Sequence, residues 1–515
     1  MINASEKYKS AIKSDVEQDV FIADFGFMPE GAKEGAMLSS NDQASASKLE
    51  QINNGVNSMA EKWATCEPNR VILDGEYENI LLNNTKQIGY ISNAMCDTLG
   101  AFSTPASFEY ILDNVYDLIG ITLFFDDKCE EWAVAGKIEY YDVNDTKLSE
   151  YTFENDKFCA LIDGTQADVK KIKVLITNWN VGYRHAKVSG IFPGQTFVFD
   201  DDNTLSFTLK EDISPFECSI TMPEFSIVFD NSDKKFDIIN PKGLIAFLKQ
   251  KMKINAKMGV VTQNGIEYIN CGNYFLYDYP QETQEDIAEF VCKPSMAFKT
   301  GYYSNEGRGT QTVEQACAII MAGESYTIDE ELKNIVVNQY IGEEVPLINA
   351  MGQLAVACGG YWKFNRDNTY QLRKWSIPSS SNEVDYDNMW NKPNIRQNKL
   401  VTSCNCKYYQ YNSTYKHMES FDNIVSLENN IGEQKDIDSV FIPNAERANE
   451  VANFVLDYYS HRLKHEVDFR GDLSIEPGDT VKVENDYAQT DVVITSINIT
   501  YTPENKLGET LEGIS

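Results

Sequence analysis

The sequence predicts a multidomain, mainly β protein with some α+β content, and three observations carry that prediction. The chain has 515 residues, more than one hydrophobic core usually serves, so roughly three to five domains are expected. About 42% of it is apolar or aromatic, enough to give each domain a core. Runs that alternate apolar and polar residues, bounded by Gly, Asn, Asp and Pro, recur along most of its length.

Taken in order, Tyr8–Ile12 and the alternating Val20–Phe25 read as a short pairing segment followed by a strand. Gly26–Ser47 reads as a turn-rich connection, and Ala44–Trp63 carries a weak helical pattern. Glu67–Pro193 reads as an all-β unit. It contains Ile119–Phe125, a turn at Asp126–Lys128, a strand opening near Trp132–Val134, and Lys137–Val143 closed by Asn144 and Asp145. Ile172, Val174 and Ile176 must share one sheet face, with Lys171, Lys173 and Leu175 on the other. Strands separated by polar turns in this way predict a β-sandwich of jelly-roll type.

Beyond residue 200, Phe225, Ile227 and Phe229 mark a strand, and Asn240–Pro241 offers a cap for a short helix carrying Leu244, Ile245 and Leu248. Ile266 and Tyr268, a reversal at Asn270–Asn273, and Tyr274–Tyr277 predict a hairpin. The region 295–390 is α+β. Thr312 with Gln315 forms a capping box before a helix face of Val313, Ala316, Cys317, Ile320 and Met321. A second helix over Pro346–Ala357 stops at Gly359 and Gly360, and Tyr361–Asn365 and Tyr370–Trp375 make a hairpin across Arg366–Asn368. In the last region, a helix predicted over 444–463, capped by Asn444, carries Ala448, Val451, Ala452, Val455, Leu456, Tyr459 and Leu463 on one side. Gly478 and Asp479 then turn the chain into Thr480–Val483, and Val492–Tyr501 closes the set.

The chain carries 45 basic and 78 acidic side chains, a formal charge of -33, which argues against a general binder of nucleic acid or anionic membrane. Lys170, Lys171 and Lys173 form a basic cluster that reads as a solvated strand face. Eleven cysteines without a regular spacing fit a reducing compartment, where thiols act as small buried hydrophobes. The start shows no secretory pattern, and the longest apolar runs fall far short of the roughly 20 residues of a membrane span.

No catalytic constellation can be assigned, and phosphate-cradling, zinc-protease and nucleophile-elbow motifs are absent from the sequence, so a non-enzyme without a cofactor is expected. Four side chains are candidate metal ligands. Cys404 and Cys406 fall on one strand face, and His461 and His465 share a helix face if the helix reaches them. A buried structural role for the thiols, and a helix-terminal role for the histidines, outweigh a metal site. Asp200–Asn203 reads as a strand-to-strand turn rather than a calcium loop. Trp179, Tyr183 and Arg184 are candidates for a glycan or partner surface, weighed against plain packing.

Several segments in fixed order resemble the hub proteins of bacteriophage and prophage tail tips or baseplates, in the group related to the central hub of contractile tails. They are Gly89–Met95, Gly120–Asp126, Lys137–Tyr141 and Ile172–Trp179 with Arg184, then Phe225–Asn231 with Phe236–Pro241, and finally Pro477–Val483 with Val493–Ile497. The resemblance implies a split N-terminal hub barrel over 1–55 and 198–294, interrupted by a galactose-binding-like β-sandwich over 56–197. An α+β domain over 295–390 and a C-terminal hub barrel over 391–515 follow. It further implies a homotrimer in the virion tail, assembled in the host cytoplasm. Such a ring would join the tail tube, or a distal tail protein ring, to other baseplate or fibre proteins and pass DNA through its lumen without specific binding. The alternative reading is a carbohydrate-binding adhesin that contacts the bacterial surface during host attachment.

Overall fold

A computed structural model of the chain describes residues 2, 4–13, 19–29, 31–56, 67–68, 88–125, 131–239, 248, 250–262, 265–280, 286–305, 307, 309–339, 345–377, 380, 382–427, 431–504 and 506–515. The fold is mainly β, with several sheets and few helices. The chain forms two compact units, Met1–Asp24 with Val198–Ser515, and Phe25–Phe197.

The unit Phe25–Phe197 is organised by two long antiparallel strands, Ala101–Phe124 and Cys159–Trp179. Ala106–Ile111 pairs with Ile176–Lys171, the register slips between Ile111 and Tyr116, and Gly120–Phe124 then pairs with Asp163–Cys159. Slips of this kind bend a strand and raise its twist. One pair of strands can therefore carry different neighbours at its two ends. Met37–Ser39 adds to the first half of Ala101–Phe124, and Gly190–Phe192 adds to the second. Ala133–Tyr141 and Lys147–Glu154 extend the sheet beyond Cys159–Trp179. The predicted alternation holds here, with Ile172, Val174 and Ile176 fully buried and the intervening Lys171, Lys173 and Leu175 half-buried.

In the other unit, a thirteen-stranded sheet is built from distant parts of the chain. Lys253–Thr262, Gly265–Asp278, Ile287–Lys293, Glu224–Asp230 and Thr204–Asp212 lie side by side, followed by Gln489–Thr502, Lys506–Ile514, Leu463–Phe469 and the edge strand Asn394–Gln397. Early and late strands meet where Phe207–Asp212 pairs with Tyr501–Ser496. The helices Val313–Ile320, Leu347–Ala357 and Ala445–Ser460 and the hairpin Gly360–Phe364/Tyr370–Lys374 share a second apolar core. Two of the predicted caps are made: Thr312 and Gln315 close a capping box, and the Asn444 side chain accepts the Arg447 N–H. A small sheet lies against the last helix, with Val401–Asn412 flanked by Ile424–Ser426 and Glu433–Asp438.

Three expectations are corrected. Tyr8–Ile12 is not a pairing segment, because Glu6–Ala11 is helical. The Ser5 side chain caps it by accepting the Tyr8 N–H, and Tyr8 and Ile12, four apart, are both buried. The hairpin expected around Asn270–Asn273 is a continuous strand. Its part Gly265–Phe275 pairs with Lys253–Thr262 on both sides of the cluster, and the Asn/Gly cluster makes a bulge opposite Ala256 and Lys257, with Gly272 at φ +114. The last helix ends at Ser460 rather than at 463, since Leu463–Phe469 is recruited as a strand by Lys506–Ile514. The turn expected at Asp126–Lys128 and the helix after Asn240, apart from Leu248, lie outside the described residues, as does the part of Ala44–Trp63 beyond residue 56.

Candidate functional site

The strongest concentration of chemically potent groups is buried in the thirteen-stranded unit. The turn of the hairpin Gly360–Phe364/Tyr370–Lys374 carries Arg366, only 1% exposed. Its Nε lies 3.1 Å from both carboxylate oxygens of Glu211, and its Nη2 donates to Glu211 Oε2 at 2.6 Å. Its Nη1 donates to the Leu473 carbonyl, and its backbone N–H donates to Glu476 at 3.4 Å. On the same hairpin, Lys363 Nζ lies 3.1 Å from Glu476 and 3.9 Å from Asp479. Asp472 and Glu509 complete the cluster, the Asp472 N–H donating to Glu509 Oε2 at 2.9 Å.

Burial alone would raise the Glu476 carboxyl, yet Lys363 and Arg366 hold it below the usual carboxylate range. Arg366 is driven the opposite way from what burial dictates, because Glu211 faces it directly. Burial raises Asp472, and it lifts Glu509 to about 8. The arrangement clamps a hairpin, a loop and two strands together. It offers no open position where a substrate atom can sit beside a base.

The unit Phe25–Phe197 has its own buried ion set, which among the described residues joins two cations and two carboxylates. Lys187 Nζ lies 2.6 Å from Glu67 and 2.7 Å from Glu131, and Arg184 Nε lies 2.9 Å from Glu131. Arg184 also donates to the Pro68 carbonyl at 2.7 Å. Arg184 is thus committed inward. Trp179 is 2% exposed and meets Phe125 edge to face, whereas Tyr183 is 48% exposed at φ +57. The three candidate surface residues therefore share no face: Tyr183 alone presents its ring to solvent.

The candidate metal ligands are also separated. Cys404 and Cys406 are fully buried on Val401–Asn412, and burial raises both thiols, Cys404 to about 12. His461 is the residue just after the helix Ala445–Ser460, while His465 is buried on the next strand, its Nε2 2.8 Å from Ser515 Oγ. Among the described residues, no group of three or more His, Cys, Asp or Glu side chains is placed to hold a metal. Asp200–Asn203 forms a turn between strands, with Asp201 accepting the Tyr501 hydroxyl at 2.6 Å.

A depression of about 290 Å³ opens beside the end of the last helix, lined among others by Asp212, Glu217, Tyr458, Tyr459, His461 and Glu512. A second feature is apolar. Leu400, Ile424, Leu427 and Ile431 are exposed around one small sheet: Ile424 pairs with Asn405, the Leu427 N–H donates to Thr402, and the Glu433 N–H donates to Leu400. Ile424 is 61% and Ile431 89% exposed. Sequence reasoning missed both the ion cluster and this surface. The first left a legible trace, since Glu211 and Glu509 occupy positions that parity assigns to the core face of their strands.

No family model matches the sequence, and no curated protein matches it. Among solved structures, a tail protein from Neisseria meningitidis MC58 overlaps 61% of this chain and 92% of its own length, at 11% identity and a TM-score of 0.42. The tail protein of prophage MuSo2 from Shewanella oneidensis overlaps 62% of this chain and 95% of its own, also at 11% identity and 0.42. A prophage tail protein from Listeria monocytogenes EGD-e overlaps 62% and 91%, at 12% identity and 0.37. At scores this low, the architecture rests on the chain's own strand registers.

Proposed function

We propose that this chain is a structural subunit of a phage tail tip or baseplate, the hub that joins the tail tube to distal tip proteins. On this reading the unit Phe25–Phe197 contains the inserted galactose-binding-like domain, and three copies close a ring whose lumen passes DNA. The virion tail is its place of action, after assembly in the host cytoplasm. The observation that carries the reading is the exposure of four large apolar side chains, Leu400, Ile424, Leu427 and Ile431, on and beside one small sheet. An isolated subunit gains nothing from leaving such residues in water, whereas an assembly buries them. The ordered sequence resemblance to tail hubs supports the same reading, and the acidic balance of -33 suits DNA passage without adhesion.

The test is mass in solution together with low-resolution imaging of the purified chain, alone and with a tail-tube protein. A threefold ring with a central channel is expected. Replacing Ile424 and Ile431 by lysine is expected to abolish it while leaving the circular dichroism spectrum intact. A monomer that persists under all assembly conditions overturns the proposal.

A further inference from the structure

We propose that the buried cluster around Glu509 is a proton-held seam: Glu509 carries a proton at neutral pH, and losing it loosens the strand Lys506–Ile514 and segment 471–479 from the hairpin that bears Arg366. This inference concerns the chain by itself and does not depend on the assembly role.

The geometry sets the terms. Five carboxyl groups, Glu211, Asp472, Glu476, Asp479 and Glu509, share this interior with Lys363 and Arg366, and Lys13 also acts on Asp472. The cations face the other carboxylates more directly, so an ionised Glu509 would stand in an apolar interior with little to offset it, where a carboxyl group takes up a proton instead. The hydrogen bonds single out the same group. Glu211 receives the guanidinium on both oxygens, and Glu476 receives Lys363 and the Arg366 N–H. Glu509 receives one backbone N–H, from Asp472, on Oε2, while its Oε1 is sealed from water without a hydrogen-bond partner.

The groups facing it are few. The residues paired with Glu509 on the adjoining strands are Phe469 and Ile499, which offer no charge. The segment after Phe469 brings Asp472, the strand Thr204–Asp212 brings Glu211, and the hairpin brings Arg366, whose nitrogens are engaged with Glu211 and Leu473. Glu476 and Asp479 engage Lys363, and Glu476 also accepts the Arg366 N–H. Burial raises the Glu509 carboxyl to about 8, the Asp472 and Glu211 charges add to it, and the Asp472 N–H and Arg366 oppose it only in part.

The direction of the pH effect follows. The folded chain holds a proton on Glu509 from the ordinary carboxyl value of 4.5 up to about 8, where the unfolded chain has released it. Stability therefore falls as pH rises through that window, by about tenfold in the local folding equilibrium per pH unit, and levels off above it. The released proton goes to solvent.

The experiment uses the full chain. Hydrogen exchange of peptides covering 470–480 and 506–514, corrected for intrinsic rates, is measured between about pH 6 and pH 8. Protection is expected to fall about tenfold per pH unit in the native protein and to stay flat in Glu509→Gln, which keeps the shape of the neutral acid. Superimposable pH profiles overturn the proposal. Should the variant not fold, infrared spectroscopy of native protein with labelled glutamate decides: a protonated glutamic acid at neutral pH that titrates away near pH 8 supports the seam, and its absence refutes it.

Discussion

Replacing Arg366 by Met keeps much of the side chain's volume and removes its charge, which isolates the electrostatic part of the clamp. The loss strands Glu211, a carboxylate buried on the strand Thr204–Asp212 that has Arg366 on both of its oxygens. It also frees the Leu473 carbonyl, and it takes from Glu476 one of the charges that hold its carboxyl down, with Lys363 still in place. Breaking a buried pair from one side costs about 3–5 kcal/mol, because the remaining charge has neither water nor partner. That is about two to four powers of ten in the opening equilibrium. The exposed pair Arg396–Glu466 is the internal control, with the arginine side chain 65% exposed, and Arg396→Met is expected to cost at most about 1 kcal/mol. The readout is labelling of the Cys271 thiol, fully buried on Gly265–Asp278, as urea is raised. Adding Glu211→Gln to Arg366→Met is expected to recover part of the loss, since it removes the stranded charge. If Arg366→Met shifts Cys271 labelling no more than Arg396→Met does, the cluster is not what holds this seam.

Three further outcomes are expected. Lys187→Met removes the ammonium that Glu67 and Glu131 share, leaving Arg184 on Glu131 and the His185 N–H on Glu67, and should cost about 3–5 kcal/mol, read as lost amide protection within 133–188; unchanged protection would count against the shared lysine as the centre of this ion set. Asn444→Ala removes the cap on Ala445–Ser460 and should lower stability by about 1 kcal/mol in urea titration, with Asn444→Asp close to native. Gly352→Ala sets a propensity gain of about 1 kcal/mol against a new Cβ only 2.5 Å from the Cys218 carbonyl oxygen. The clash should win by about 1–3 kcal/mol, and a stabilised variant would show that the segment around Cys218 yields freely.

Much of the fold was legible because its determinants are local. Ile172, Val174 and Ile176 announce a buried face by spacing alone, and Thr312 with Gln315, or Asn444, announces a helix start through one side-chain bond. Local signals also misled where two readings share residues. Asn270–Asn273 has the composition of a turn, but pairing with Lys253–Thr262 on both sides of it turns the cluster into a bulge. Tyr8 and Ile12 fit a helix as well as a strand, and Ser5 decides between them. The ion cluster was beyond local reading, since Arg366 and Glu211 lie 155 positions apart. The trace it left is a charge where parity demands an apolar residue: Glu509 between Leu507 and Leu511, and Glu211 after Phe207 and Leu209. Among the candidate site residues, spacing placed Cys404 and Cys406 on one strand face, whereas His461 and His465 were divided by a helix end that only the strand Lys506–Ile514 dictates.

The meeting of early and late strands in one sheet also sets an order of events at the ribosome. The Leu507 N–H donates to Asp19, 488 positions earlier, and the Tyr501 hydroxyl donates to Asp201 across 300. The strand Thr204–Asp212 has one neighbour soon after it, but its other neighbour, Gln489–Thr502, emerges only after the whole of 213–488 has been made. Phe25–Phe197, by contrast, is fully translated before most of the other unit exists. The nascent chain thus carries a finished unit and an unpaired strand edge until Gln489–Thr502 emerges. That interval is when a holding chaperone has most to protect, and a ribosome stalled before residue 489 would release an aggregation-prone fragment.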